Sequence, residues 1–262
     1  MNGLYSETYF LSAAETNAEQ EISLPLLTAK LIDIATAHAN SLGIGNPSLG
    51  DIKAGWVLSR ITIEMDQYPK VNEDYTISTW IETFNRHFSQ RAFKISSPDG
   101  RVFGYARSVW MIMDTVTHTN VGLSHCNLPE DAILGTVPPI EKQTRHVPIT
   151  LPGESSNTKG ALSATHPVFE YKFKYCDLDF YRHVNTVRYV TLLMNRFSLR
   201  EHDETFVRRL EISFLHEARY DMLTQLLRSD DEDSDLSSFL LRKADDKEPL
   251  LFARVVRAKR VN

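Results

Sequence analysis

The order of local signals constrains this chain more than any single motif. A strand, a helix and about four strands appear, and then the same order appears again. In the first half Leu24, Leu27, Leu31, Ile34, Ala35, His38 and Leu42 recur at three- and four-residue steps and stop at Gly43 and Gly45. That is the helical period ended by a glycine cap. Ser23 is placed to cap the start, with Pro25 in the first turn. Leu4–Ser12 alternates as a strand, and Trp56–Tyr68, Asp74–Asn85, His87–Ser96 and Arg101–Thr115 follow the helix as β-branched and aromatic runs. The clearest turn between them is Ser-Pro-Asp-Gly at Ser97–Gly100. In the second half Pro167–Tyr175 alternates, and Val184, Val187, Val190 or Thr191, Met194 and Phe197 keep helical spacing. Phe206–His216, Tyr220–Arg228, Leu236–Lys243 and Leu250–Arg257 then read as strands. One helix per half cannot make a bundle, whereas antiparallel strands around a single helix bury one sheet face. The expectation is an α+β chain in which one small fold occurs twice in tandem. Residues 137–165, rich in Pro, Gly, Ser and Thr and without a period, read as a linker between halves 1–136 and 166–262.

Composition narrows the class. With 42% hydrophobic and 24% charged residues the chain can bury a core, and its net charge of −5 argues against a general nucleic-acid binder. Two cysteines, Cys126 and Cys176, form neither a disulfide framework nor a zinc site and fit a reducing cytoplasm. The first twenty residues carry early acidic side chains and no long apolar core, so they do not read as a signal peptide. No apolar run approaches the roughly 18 residues of a membrane span. The acidic stretch Ser229–Asp235 lacks the glycine and terminal glutamate of a calcium loop and reads as a solvated turn, so no metal is expected.

The chemistry concentrates in Cys176–Val190, CDLDFYRHVNTVRYV. Taken alone, Asp177 and Asp179 ahead of a helix are candidate N-caps, His183 a satisfied structural histidine, and Glu217 a solvent-facing strand residue. Their company changes that reading. DLDFYRHVNTVRYV resembles the Asp-x-Asn-x-His-Val-Asn-Asn motif of the acyl-ACP thioesterase family, and FLHEARYDML resembles the strand that carries the family's glutamate. WVLSRITIEMDQYPKVNEDYTISTWIE and GRVFGYARSVWMIMD are similar to the family's N-terminal half. The resemblance covers most of residues 4–257 and implies a tandem, double hotdog fold, each half a long helix wrapped by an antiparallel sheet.

It also implies a hydrolase that releases free fatty acid from a fatty acyl-ACP. Asp179 and His183 match the motif's acid and histidine, and Glu217 matches the catalytic glutamate. Tyr181 stands where the family usually has asparagine, and Ala218 where many plant members have a cysteine. The expected catalytic set is therefore Asp179, Tyr181, His183 and Glu217. Glu217 would activate water, and amides near Val184 would face the developing oxyanion. Asp179 would orient His183 or Glu217, or cap the helix. A phenol at Tyr181 can donate and accept as an amide does, with greater reach and bulk. With Ala218 in place of cysteine, direct attack by water is favoured over an acyl-enzyme.

No helix-entering Asp-x-x-x-His precedes the first helix, so the N-terminal half is expected to bind the acyl chain, with Trp56, Trp80, Trp110, Met111 and Met113 available to line a tunnel. The implied partner is acyl carrier protein bearing a fatty acyl chain, and no cofactor is needed beyond the phosphopantetheine the substrate itself carries. Arg86, His87 and Arg91, and also Arg182, Arg188, Arg196 and Arg200, are candidates for a basic docking surface. Hydrolysis of acyl-CoA and non-catalytic acyl binding stand as alternatives. The chain is expected to be a monomer or a homodimer, because the tandem copy can supply the pairing that single hotdogs find in a second chain.

Overall fold

The computed structural model describes residues 3–46, 48–49, 53–124, 126–154, 160–231 and 233–260. Its contacts divide the chain into two compact units, Met1–Glu141 and Lys142–Asn262.

In the first unit, strand β1 (Leu4–Phe10) alternates exposed and half-buried residues. Helix α1 (Leu24–Ser41) starts at Ser23, whose hydroxyl accepts from the Leu26 amide at 3.4 Å, and ends at Gly43, which takes φ 71°. Its inward stripe is Leu24, Leu27, Thr28, Leu31, Ile34, Ala35 and His38. Leu27, Leu31 and Ile34 are wholly buried, each contributing about 1.5–3 kcal/mol of transfer free energy. Strands β2 (Ala54–Met65), β3 (Asp74–Phe84), β4 (Ser89–Ser96) and β5 (Val102–Asp114) join β1 in the order β1-β3-β4-β5-β2, every neighbouring pair antiparallel. The helix lies against β1 and β3.

The buried polar side chains described in this unit include two clusters. His38 Nδ1 lies 2.7 Å from Arg91 Nη1, which also donates to Thr79 Oγ1 at 3.3 Å, and the Tyr5 ring stacks on the imidazole. Arg91, expected at the surface beside Arg86 and His87, is therefore a core residue, 4% exposed, because the pleat of β4 turns it towards the helix. The second group is Glu82–Arg107, a buried bidentate ion pair with Nε–Oε2 at 2.7 Å.

The second unit repeats the plan. After the two-residue strands β6 (Ile149–Thr150) and β7 (Leu162–Ser163) come β8 (Phe169–Lys172), helices α2 (Thr186–Met194) and α3 (Leu199–Glu204), and strands β9 (Thr205–Phe214), β10 (Leu223–Asp230), β11 (Leu236–Lys243) and β12 (Pro249–Lys259). The order β8-β10-β11-β12-β9 matches the first unit strand for strand. Each unit is thus a helix on an antiparallel sheet, the α+β hotdog arrangement.

The halves differ in the helix. Where α1 runs 18 residues, the second copy stops after nine, with Asn195 as cap, and restarts as α3. Ser198 and Glu201 form a reciprocal capping box that begins the new helix, so helical spacing continuing to Phe197 overstates the length of α2. Phe197 fills the break between the guanidinium groups of Arg228 and Arg257, at 4.3 and 4.8 Å from its ring centroid. Both arginines also bind Glu201 at 3.0 Å, which fastens α3 to the sheet.

The Pro- and Gly-rich stretch makes specific contacts with the second unit. Ile149 is buried with Leu227, Leu240 and Phe252, and Glu154 receives both terminal nitrogens of the buried Arg242. Residues 155–159 of that stretch, and Glu232 of the acidic turn, lie outside the described residues. Among the described residues no helix is long and apolar enough to cross a membrane.

Candidate active site

The path from β8 to α2 is a tight, self-bonded loop. A single 3-10 turn, Tyr175–Asp177, is closed by Asp177, whose carboxylate accepts from the Lys174 amide at 2.7 Å and the Tyr171 hydroxyl at 3.1 Å. Asp179 then organises the next five residues. Its Oδ1 accepts from the amides of Tyr181 (2.9 Å) and His183 (3.0 Å), and its own amide donates to the His183 carbonyl at 2.8 Å. Arg182 takes φ 64° to close the turn. Of the roles open to Asp179, the helix cap belongs instead to Asn185, whose side chain accepts from Val187 at 3.0 Å.

The loop is sewn to the strand connection after β9. His183 and Arg219 form an antiparallel bridge, and the Val184 amide donates to the Ala218 carbonyl at 2.9 Å. This register brings His183 Nε2 to 3.2 Å from Glu217 Oε2, with side chains 23% and 36% exposed. Two groups separated by more than thirty positions in sequence become an imidazole–carboxylate pair in contact and reachable by solvent.

One expectation changes. The Val184 amide is spent on Ala218 and cannot face an oxyanion; Asn185, Val187 and Arg188 are likewise engaged, by the Asp177 carbonyl, the Asn185 side chain and the Asn185 carbonyl. Tyr181 lies on the same loop, two residues ahead of His183. Its ring, 41% exposed, lies on Phe180 with centroids 4.1 Å apart, and burial followed by the Asp179 charge raises its pKa.

Residues 2–123 match the family model of the acyl-ACP thioesterase N-terminal domain, and residues 162–251 match that of its C-terminal domain. The chain belongs to the acyl-ACP thioesterase family. The loop that carries His183 and the connection after β9 that carries Glu217 both fall in the C-terminal match. A palmitoyl-acyl carrier protein thioesterase of Gossypium hirsutum is 23% identical over 86% of this chain and 54% of its own length. The chain spans about half the length of several such curated plant relatives. Among solved structures, an acyl-ACP thioesterase from Bacteroides thetaiotaomicron superposes with TM-score 0.85 at 25% identity, covering 98% of both chains. A 12:0-ACP thioesterase from Umbellularia californica shares the fold at TM-score 0.78 and 16% identity, covering 98% of this chain and 95% of its own.

Within this family member the two halves share the lead-in loop almost bond for bond. In the N-terminal domain Asn17 Oδ1 accepts from the amides of Glu19 (3.1 Å) and Glu21 (2.9 Å), and the Asn17 amide donates to the Glu21 carbonyl at 2.8 Å. Gln20 takes φ 60°, Thr16 bridges Ile22, and Ser23 caps the helix. Asn17 therefore stands where Asp179 stands, and Glu21, paired with Lys70 at 2.8 Å, where His183 stands. The backbone work of Asp179 belongs to the duplicated fold; what the C-terminal copy adds is the imidazole and the carboxylate. Sequence reading missed the first loop because Asn17-x-x-x-Glu21 shares no letter with Asp179-x-x-x-His183. A search for an Asx residue four positions ahead of a bridge residue would have found it.

Proposed function

We propose that the chain hydrolyses the thioester of fatty acyl-ACP and releases free fatty acid, as the relatives' names describe for them. The observation that carries the reading is the 3.2 Å contact of His183 Nε2 with Glu217 Oε2 on the segments matching the family's C-terminal domain. Glu217 takes a proton from water as the water oxygen attacks the thioester carbon. Collapse of the tetrahedral intermediate breaks the C–S bond, and the pantetheine sulfur leaves with that proton. His183, whose Nε2 lies 3.2 Å from the carboxylate, holds Glu217 in place. The oxyanion requires a backbone donor other than Val184, and the Thr186 amide at the first position of α2 is the next one along the chain after the engaged Asn185. Asp179 holds the loop, and the Tyr181 phenol borders the site in place of an amide. No cofactor enters these steps, since the substrate brings its own phosphopantetheine.

The N-terminal domain supplies acyl-chain binding, a role favoured by the Glu21–Lys70 pair in place of an imidazole–carboxylate pair. Both cysteines are unpaired, which suits a reducing cytoplasm and a place in fatty acid biosynthesis. Glu217→Gln keeps the shape and removes the base. It is expected to lower turnover of acyl-ACP by ~10²–10⁴-fold with an unchanged circular dichroism spectrum. Undiminished turnover would discard the base assignment. The same acyl group presented on CoA separates the two thioester substrates, and faster turnover on CoA would overturn the carrier-protein reading.

A further inference from the structure

We propose that Tyr189 is a positioning residue for the Glu217–His183 pair, acting through the peptide that joins Glu217 to Ala218. Ala218 is wholly buried, and both its backbone polar groups are bound to the segment carrying His183. Its carbonyl accepts from Val184 at 2.9 Å, and its amide donates to the Tyr189 hydroxyl oxygen at 3.3 Å. That amide belongs to the same planar peptide as the Glu217 carbonyl, so the phenol fixes the orientation of the unit from which the Glu217 side chain departs.

Tyr189 is suited to such a role. It is 6% exposed, with its ring edge-on to Phe173 at 5.8 Å and tilted on Phe214 at 5.9 Å. Burial foremost, with added repulsion from the charges of Glu217 and Asp179, pushes its pKa well above the ordinary tyrosine value, so the group stays a neutral hydroxyl.

The other half of the chain shows that the fold itself does not require this hydroxyl. There the Ile22 amide donates to the Pro69 carbonyl at 3.0 Å, as Val184 does to Ala218. Pro69 has no amide hydrogen to satisfy. The residue four places past the Ser23 cap, matching Tyr189 four places past Asn185, is the fully buried Leu27. The amide and the hydroxyl that receives it occur together, in the half that holds the imidazole–carboxylate pair.

The inference rests on Glu217 being the base, and its test separates the two. Tyr189→Phe keeps the ring and deletes only the acceptor. Hydrogen exchange at the Ala218 amide, read by NMR, is expected to quicken at least ~10-fold, and kcat on acyl-ACP to fall ~10–100-fold with KM within ~3-fold. A purely structural tyrosine would lower the melting temperature and leave kcat alone. Wild-type kcat in Tyr189→Phe, or unchanged Ala218 exchange, overturns the proposal. Wild-type turnover in Glu217→Gln would remove the base by itself, and Ala218 exchange would still decide whether the phenol clamps the peptide.

Discussion

Asp179 has a scaffold role that can be separated from its charge. Its Oδ1 receives two backbone amides, at 2.9 and 3.0 Å, in a half-buried loop. Asp179→Ala strips both bonds at once. At about 0.5–1.5 kcal/mol net for each bond, the loss is about 1–3 kcal/mol. For a unit of this size that lowers the midpoint of thermal unfolding by ~4–12 °C. Asp179→Asn leaves an acceptor at the same place, and Asn17 already performs the identical task in the first half. Its midpoint is therefore expected within ~2 °C of the parent. Scanning calorimetry on the three proteins reads the stability arm, and kcat on acyl-ACP reads the other. A loss of turnover in Asp179→Asn at unchanged stability assigns that loss to the negative charge beside the pair. An Asp179→Asn protein as unstable as Asp179→Ala would refute the scaffold argument, since the amide should then have served.

His38 gives a pH signature in the first unit. Burial, then the Arg91 cation, lowers its pKa to about 4, against 6.5 for the free side chain. Between those values the unfolded chain binds a proton that the folded one refuses. Stability is therefore fully present above pH 6.5 and falls as pH drops towards 4, by up to about 1.4 kcal/mol per pH unit. His38→Gln, which still offers Arg91 an acceptor, should flatten that fall in urea titrations across the range, and an unaltered slope would show that another group governs it. Glu82→Ala leaves Arg107 buried without its carboxylate and should cost about 3–5 kcal/mol, while Glu82→Leu with Arg107→Met should recover most of the loss. A double variant no more stable than the single one in urea unfolding would count against that account.

Strands and helix starts were legible because they depend on local spacing and on caps such as Ser23 and Asn185. The break after Met194 was not, since Val184 to Phe197 keep helical spacing and only the Ser198–Glu201 box and the arginines around Phe197 decide it. Arg91 read as a surface charge because nothing near it in sequence announces His38, 53 positions away on the buried face of α1. His183 and Glu217 were legible through a family motif. Their partners were not: an amide spent on Ala218, or a phenol receiving the Ala218 N–H, leaves no trace in residue type alone.

The proline at position 69 has a consequence for the chain's history and for its engineering. Grafting histidine at Glu21 and glutamate at Tyr68 would reproduce the visible pair of the C-terminal half, yet not its support. The backbone there has no N–H to offer, and the place of the supporting phenol is occupied by Leu27, sealed in the core. A centre like the C-terminal one would need at least four coordinated changes, all at buried positions. On the proposed division of roles between the halves, chemistry in the N-terminal copy is thus easy to lose by single steps and hard to regain by them.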